Sequence, residues 1–205
     1  LVGTVACYIG EKKLMDSDRT TPEALELQGM FRQMVDEGCE YIVMEVSSQS
    51  LKLGRVDGCH FDLALFTNLT EDHISPHEHA SMEEYFECKC KLFDMTKKGI
   101  TNADDKKAME LIKLKPNCKF KTYSVKNDSD KKATNINITN ELTTFNVNIN
   151  NKEELVKISI PGEFTVYNAL GAISICEELG IDSKYILSGL EEVRIPGRSE
   201  LIKND

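Results

Sequence analysis

Apolar runs with the length of buried strands alternate along this chain with amphipathic helical patterns, and that alternation restricts the fold more than any other feature. The runs at 41–46 and 63–68 are nearly free of charged residues, as in strands covered on both faces. Alternation at this spacing is typical of βαβ units. We therefore predict an α/β fold, a mostly parallel sheet with helices on both faces. Strands are predicted at 2–8, 41–46, 63–68, 100–102 and 119–125, and later helices at 81–96, 106–113, 167–179 and 183–193.

The first predicted helix follows a polar stretch, 9–19, that is predicted to be a loop. Thr21 is the predicted N-cap, Pro22 suits the first helical position, and Gly38 ends the helix. Thr20 and Glu23 have the spacing of a capping box. The buried face is predicted to consist of Leu27, Phe31 and Met34.

The helix at 81–96 contains a lysine in an unusual place. Ser81 and Glu84 have the spacing of a capping box, and the Lys-Lys-Gly sequence at 97–99 has the composition of a helix end. Lys89 falls in the middle of the apolar stripe. Two interpretations remain open: either the stem packs and the ammonium reaches water, or the amine is neutral through burial or chemically modified and belongs to a polar site. The stripe is formed by Met82, Tyr85, Phe86, Leu92 and Phe93.

The composition changes after residue 125. The segments 136–138, 145–149 and 155–160 alternate apolar and polar residues, which predicts antiparallel strands. The many asparagines are also compatible with a flexible loop, but strict alternation favours strands. We predict one domain at 1–194 with an antiparallel β insert at about 133–160, and the start of a further domain at 195–205.

Charge and cysteine content exclude some classes of protein. A formal net charge of −9 argues against a nucleic-acid partner, because phosphate backbones are bound by basic surfaces. No apolar run approaches the roughly 18 residues of a membrane span. Seven scattered cysteines fit reduced thiols better than a disulfide framework. We therefore expect a cytoplasmic protein without membrane insertion.

The chain is expected to be a fragment. It begins with Leu1 and not with methionine, and it contains no G-x-x-x-x-G-K-[ST] phosphate-binding loop. If the protein uses a nucleotide, that loop lies upstream of Leu1.

Three polar residues belong to consecutive strand and helix segments of the predicted fold. Glu45 nearly ends one strand, His73 follows the next, and Lys89 lies on the following helix. Ligands of open α/β sheets bind beyond the carboxyl ends of the strands. A carboxylate and an imidazole are reasonable ligands of a divalent cation, and a lysine that has captured CO₂ as a carbamate would add an anion. The rival interpretation is a zinc site, although its residues match no standard spacing: His73, His77, His79, Cys88 and Cys90.

Several motifs resemble the central domain of the Mur ligase family, in particular the members that form the tripeptide of peptidoglycan precursors. The resemblance covers most of the chain and is weakest over 128–151. The motifs are TTPEALELQ at 20–28, MEVSSQ at 44–49, GRV at 54–56, FTNL at 66–69, DH at 72–73, Lys89 with Leu92-Phe93, IPGEF at 160–164, YNAL at 167–170 and IPGR at 195–198.

The resemblance implies an ATP-dependent amide ligase of peptidoglycan biosynthesis. ATP would phosphorylate the D-Glu γ-carboxylate of UDP-MurNAc-L-Ala-D-Glu, and the amine of a diamino acid would displace the phosphate. The protein would be a monomer, and this fragment alone would be inactive. By the family pattern, Glu45, His73 and carbamylated Lys89 hold Mg²⁺, Thr20, Thr21, Ser47 and Arg55 contact the dipeptide substrate, Asn168 faces the adenine, and Arg198 contacts the ATP phosphates.

The sequence departs from the family pattern in the loop at 74–81, which is two residues longer than usual. The roles of His77 and His79 are therefore open, and Gln49 stands where many members have histidine. Two alternatives remain: a related ligase of the folylpolyglutamate or cyanophycin synthetase class, and a non-catalytic binding domain on the same fold. The sequence does not indicate which amino acid is added.

Overall fold

The computed structural model describes residues 1–71, 74–75 and 78–194. The predictions made for His73, His77 and the segment 195–205, including Arg198, lie outside these residues. The chain divides into two compact units. The first contains 1–60 and 71–95, and the second contains 61–70 and the chain from residue 96 onward.

The first unit begins with a β-hairpin. Strand β1 (Ala6–Ile9) pairs antiparallel with β2 (Lys12–Asp16). The prediction of a loop at 9–19 was therefore wrong. Gly10, with φ +55°, makes the tight turn that lets the polar strand β2 fold back on β1. Because β2 is largely exposed, it lacks the apolar alternation by which strands are recognised.

Helix α1 (Ala24–Asp36) starts later than predicted. Glu23 is its N-cap, and no side chain caps it, so Thr21 is not the cap. Leu27 and Met34 are buried as predicted, whereas Phe31 is only half-buried. Gly38, with φ +81°, follows the end of the helix as predicted.

The apolar segment 41–46 is not a buried strand, contrary to the prediction. Within the part of the chain that the structure describes, its pairing is a single bridge between Val2 and Met44. Val2 N–H donates to Val43 O (2.9 Å), and Glu45 N–H donates to Val2 O (2.9 Å). Tyr41 and Val43 are 57% and 65% exposed. An apolar run predicts a buried strand, but a strand also requires a neighbouring strand to pair with. For this segment the described residues offer only the bridge to Val2.

Two further helices complete the first unit. Helix α2 (Ser48–Lys52) is short, and α3 (Met82–Cys90) continues into a 3₁₀ turn, Lys91–Asp94. The prediction of one helix over 81–96 was therefore too long. Ser81 does cap α3, since its hydroxyl accepts from Glu84 N–H (3.2 Å). The Glu84 carboxylate accepts in return from Ala80 N–H (2.6 Å), one residue before the cap.

The second unit contains the predicted parallel sheet. Strands β3 (Phe61–Phe66), β4 (Thr96–Asn102), β5 (Lys119–Ser124) and β6 (Lys131–Lys132) pair in that order, all parallel. Gly99 lies inside β4 and does not end a helix. A Cβ there would be 2.4 Å from the ring of Phe120 in β5, so the glycine allows that ring to pack over the strand. Helix α4 (Lys106–Leu114) follows β4.

A three-stranded antiparallel sheet forms the predicted insert. Its strands are β7 (Thr134–Ile138), β8 (Thr143–Ile149) and β9 (Lys152–Ile158). Phe145, Val147 and Ile149 are buried on one face, as the alternation predicted. Asn150 and Asn151, with φ +51° and +64°, make the hairpin turn to β9. Asparagine tolerates this left-handed region, which accounts for part of the asparagine density.

Helix α5 (Glu163–Glu178) packs against β4, β5 and β8 and is followed by α6 (Ser183–Glu192). It begins four residues earlier than predicted, directly after Gly162. Its residues Leu170 and Ile173 share one core with Phe145 and Val156 of the antiparallel sheet. The α/β prediction is confirmed by this parallel sheet with its packed helices.

Candidate active site

Thr21 joins two segments of the first unit that both contain predicted site residues. Its side chain is fully buried, and its hydroxyl donates to Glu45 O (3.0 Å) and accepts from Ser47 N–H (3.0 Å). Because the hydroxyl satisfies a backbone donor and a backbone acceptor, it fixes Thr20 and Thr21 beside 45–47. The threonine hydroxyl that was predicted to cap a helix instead holds the site together.

The carboxylate of Glu45 is held by the segment between Val2 and β1. Thr4 Oγ1 donates to Glu45 Oε2 (2.5 Å), and Thr4 N–H donates to Glu45 Oε1 (3.3 Å). The Thr4 hydroxyl also lies 3.2 Å from the hydroxyl of Thr20. A Cβ at Gly3 would be only 2.8 Å from Glu45 Oε1, so the glycine leaves room for the carboxylate. Gly3 and Thr4 belong to no motif of the family pattern, so no local signal pointed to them.

Arg55 points its guanidinium at the same group of residues. Its side chain is 11% exposed, Nη1 donates to Thr21 O (3.4 Å), and Nε lies 3.1 Å from Glu23 Oε1. Arg19 forms an ion pair with the same carboxylate of Glu23. Glu23 therefore lies between two arginines and balances part of their charge. From the sequence Glu23 was predicted only as the acidic partner of Thr20 in a capping box, and no side chain caps the helix in the structure.

Ser47 is the N-cap of α2, and its hydroxyl accepts from Ser50 N–H (3.1 Å). Five predicted substrate and metal residues are thus connected within one unit through Thr4, Thr21 and the backbone of 45–47. They are Thr20, Thr21, Glu45, Ser47 and Arg55.

Lys89 is half-buried on α3, with Nζ 5.2 Å from the centroid of the Tyr85 ring. His79 stacks on the same ring, with centroids 5.1 Å apart, and its Nε2 lies 2.8 Å from Ser48 Oγ at the start of α2. The carboxylate of Glu45 accepts two hydrogen bonds from Thr4. The structure connects Lys89 to α2 through Tyr85, His79 and Ser48.

Asn168 lies in the second unit, exposed on the first half of α5. The preceding residue, Tyr167, donates its hydroxyl to Asp104 Oδ2 (3.0 Å). Burial, followed by this hydrogen bond, raises the pKa of Tyr167 to about 12. Burial would raise the pKa of Asp104, but the N–H groups of three residues outweigh it and hold this pKa below its usual value. The three donors are Val125, Lys126 and Asn127.

The oxygen atoms around Glu45 suit a hard divalent cation. A carboxylate with neighbouring hydroxyls is the kind of donor set that Mg²⁺ takes. The structure does not support the zinc interpretation within the described residues, among which no three His, Cys, Asp or Glu side chains are grouped to hold a metal ion. Cys88 and Cys90 are both buried, and His79 is engaged with Ser48.

No helix in the described ranges is both long enough and apolar enough to cross a membrane. None of the seven cysteines forms a disulfide.

Comparison with known proteins gives consistent matches. Residues 1–176 match the family model of the Mur ligase middle domain. The chain is 43% identical to UDP-N-acetylmuramoyl-L-alanyl-D-glutamate–2,6-diaminopimelate ligase 1 of Clostridium acetobutylicum, with 100% of the chain aligned to 42% of that protein. The diaminopimelate ligase of Caldanaerobacter subterraneus is 44% identical over 99% of the chain and 42% of its own length.

Among solved structures, a UDP-N-acetylmuramoyl-L-alanyl-D-glutamate–2,6-diaminopimelate ligase superposes with a TM-score of 0.83 and 28% identity. The match covers 95% of this chain and 41% of that one. The chain therefore spans less than half the length of the relatives that it matches.

Proposed function

We propose a function from the premise that this chain belongs to the Mur ligase family, whose middle-domain model matches residues 1–176. The chain is the middle domain of an ATP-dependent ligase that adds 2,6-diaminopimelate to UDP-MurNAc-L-Ala-D-Glu in peptidoglycan synthesis. The choice of diaminopimelate follows relatives at 43% and 44% identity that are named for it. Activity belongs to the full-length protein, because the chain spans 42% of those relatives.

One structural observation carries the proposal: the five connected residues of the first unit. Arg55 is nearly buried with its charge only partly balanced by Glu23, which Arg19 shares. A guanidinium has five N–H donors in a fork that matches carboxylate and phosphate oxygens, so donors remain for an anionic substrate. Thr20 and Ser47 add hydroxyls next to it. The hydroxyl of Thr21 is fully buried and bonded to Glu45 O and Ser47 N–H, so Thr21 supports the site by holding Thr20 beside Ser47.

The proposed reaction has two steps. In the first step an oxygen of the D-Glu γ-carboxylate bonds to the γ-phosphorus of ATP, the bond from this phosphorus to the bridging oxygen breaks, and ADP leaves. In the second step the amine of diaminopimelate attacks the acyl carbon of the acyl phosphate. The C–N bond forms as the C–O bond to phosphate breaks, and the ammonium proton leaves to solvent or a base. Within this scheme, Thr20, Ser47 and Arg55 hold the dipeptide with its carboxylate towards the phosphoryl group.

Glu45, His73 and carbamylated Lys89 would hold Mg²⁺, which supplies positive charge against the phosphate oxygens when bound. The Glu45 carboxylate and the neighbouring hydroxyls of Thr4 and Thr20 are oxygen ligands of the kind that a hard cation takes, which supports this assignment. Thr4 donates two hydrogen bonds to the Glu45 carboxylate and would thereby limit the orientations in which this carboxylate could hold the ion. Asn168 would face the adenine, and Arg198 would contact the ATP phosphates.

We also propose that the enzyme works as a monomer in the cytoplasm. The absence of disulfides among all seven cysteines supports a reducing compartment. Light scattering of the full-length enzyme would test the oligomeric state.

The test is an assay of the purified full-length protein for ADP release and amide formation. We expect turnover with ATP, UDP-MurNAc-L-Ala-D-Glu and diaminopimelate. With lysine in its place we expect about a hundredfold less, because lysine lacks the second carboxylate of diaminopimelate and a site that bonds this group discriminates strongly against an analogue without it. A preference for folate with glutamate would show the folylpolyglutamate class instead. No turnover with any of these substrates would favour a non-catalytic binding domain.

A further inference from the structure

His79 occupies a buried position that the family pattern does not explain. It lies in the loop that is two residues longer than usual, yet its side chain is only 1% exposed. Nε2 lies 2.8 Å from Ser48 Oγ, and the imidazole stacks on the ring of Tyr85. A histidine with both a hydrogen bond and a ring contact is held in one orientation.

The Tyr85 ring in turn contacts Lys89. The two residues are four apart on α3 and therefore share one face of the helix, with Nζ 5.2 Å from the ring centroid. One aromatic ring is thus in contact with both the histidine and the lysine that is proposed to carry the carbamate. The imidazole and the lysine side chain are therefore linked through the position of the Tyr85 ring.

At its other end, this set of contacts reaches the start of α2. Ser48 is the first residue of that helix and follows Ser47, one of the proposed substrate contacts. The loop beside His79 is fixed to α2 as well, because Lys52 Nζ donates to Glu78 O (2.7 Å) and pairs with Glu84 (2.8 Å) on α3. The contacts from Ser48 through His79 and Tyr85 to Lys89 are all within the first unit.

We infer that His79 is a positioning residue that sets the Lys89 side chain relative to α2, through Ser48 on one side and Tyr85 on the other. The inference rests on the proposed function, since it matters only if Lys89 is carbamylated. In that step the neutral amine attacks the carbon of dissolved CO₂, a C–N bond forms, one C–O π bond becomes the carboxylate lone pair, and a proton leaves nitrogen for water. A lysine that is held in place forms and keeps this carbamate at lower CO₂ than a lysine that moves freely.

The test measures the rate of the full-length enzyme against bicarbonate concentration. His79→Phe keeps an aromatic ring against Tyr85 but cannot bond Ser48, and Ser48→Ala removes the other partner of the same bond. We expect each to raise the bicarbonate concentration for half-maximal rate about fivefold, the effect of losing one hydrogen bond. Saturating bicarbonate should restore most of the rate, and the KM for ATP should stay unchanged. At equal ¹³C-bicarbonate, the carbamate signal in the NMR spectrum should be weaker than in the wild type.

The control is His60→Gln, an exposed histidine of the same unit, which should behave as the wild type. A lower rate and lower melting temperature with unchanged bicarbonate dependence would show a purely structural role and overturn the inference. If His79→Phe does not fold, Ser48→Ala decides alone. Lys89→Ala distinguishes a failure of the proposed role of Lys89 from a failure of the positioning role of His79. If it remains active, the proposed function of Lys89 fails, whereas an inactive Lys89→Ala with unaffected His79 and Ser48 variants overturns only the positioning role.

Discussion

At Gly3, one absent methyl group decides where a proposed metal ligand can lie. A Cβ at this position would be 2.8 Å from Glu45 Oε1 and 3.5 Å from Cδ. The carboxylate is the end of a flexible, exposed side chain, so it would move while the backbone stayed in place. The contact therefore bears on the orientation of Glu45 and much less on folding.

We expect Gly3→Ala to disturb metal binding without unfolding the protein. The Mg²⁺ concentration for half-maximal rate should rise about tenfold, the usual size of an effect on a residue that orients a metal ligand. The measurement is the Mg²⁺ dependence of ADP release by the full-length enzyme, with the melting temperature determined in parallel. Gly29→Ala is the matched control, because no heavy atom lies within 4 Å of its added Cβ. An unchanged Mg²⁺ dependence would contradict the role given to Glu45.

At the scale of secondary-structure elements, Asp104 connects three parts of the second unit. It follows β4, accepts from the backbone of 125–127 after β5, and accepts from Tyr167 on α5. Ionised carboxylates that accept several N–H and O–H bonds are strongly stabilised in the charged form. The start of α5, with Asn168, is therefore fixed to the loops at the ends of two parallel strands.

Tyr167→Phe should weaken this connection in a pH-dependent way. The folded-state pKa of Asp104 is lowered, so its contribution to stability is full above the unfolded value of about 4 and is lost as pH falls through the lower folded value. At pH 7 we expect a loss of about 2 kcal/mol in the free energy of unfolding, typical of a bond to a charged acceptor. Near pH 2 the difference from the wild type should shrink.

Urea unfolding at the two pH values measures this difference. Tyr185→Phe provides the control, since that tyrosine is 65% exposed on α6. A loss that is the same at both pH values would show that the hydroxyl acts independently of the charge on Asp104.

Across the whole molecule, the elements predicted correctly are those that depend on a local sequence pattern. Alternation of apolar residues identified β8 with Phe145, Val147 and Ile149 inside, and the Ser81 cap marked the start of α3. The predictions for the run at 41–46 and for β2 were wrong. Whether each segment forms a strand depends on its partner, which is distant in the chain for 41–46, whereas β2 is itself a polar strand, so neither leaves a local signal in the sequence.

The candidate site shows the same limit. The family motifs pointed to Thr20, Glu45, Ser47 and Arg55 as separate residues, but their connection depends on Thr4 and on the buried hydroxyl of Thr21. These bonds join residues 16 to 41 positions apart in the chain. Such contacts arise only when the chain is folded, so spacing along the sequence does not reveal them.

The residues proposed to contact the two substrates belong to different units. Arg55, proposed for the dipeptide substrate, lies in the first unit, and Asn168, proposed for ATP, lies in the second. Arg55→Lys keeps the charge but loses the planar fork, so we expect the KM for UDP-MurNAc-L-Ala-D-Glu to rise about tenfold with little change in the KM for ATP. Asn168→Ala should raise the KM for ATP and leave the KM for UDP-MurNAc-L-Ala-D-Glu almost unchanged. Steady-state kinetics of the full-length enzyme give both constants, with Arg32→Lys and Asn117→Ala, both exposed, as controls. If each variant raised both KM values equally, neither residue would belong to one substrate, and the assignment of substrates to units would fail.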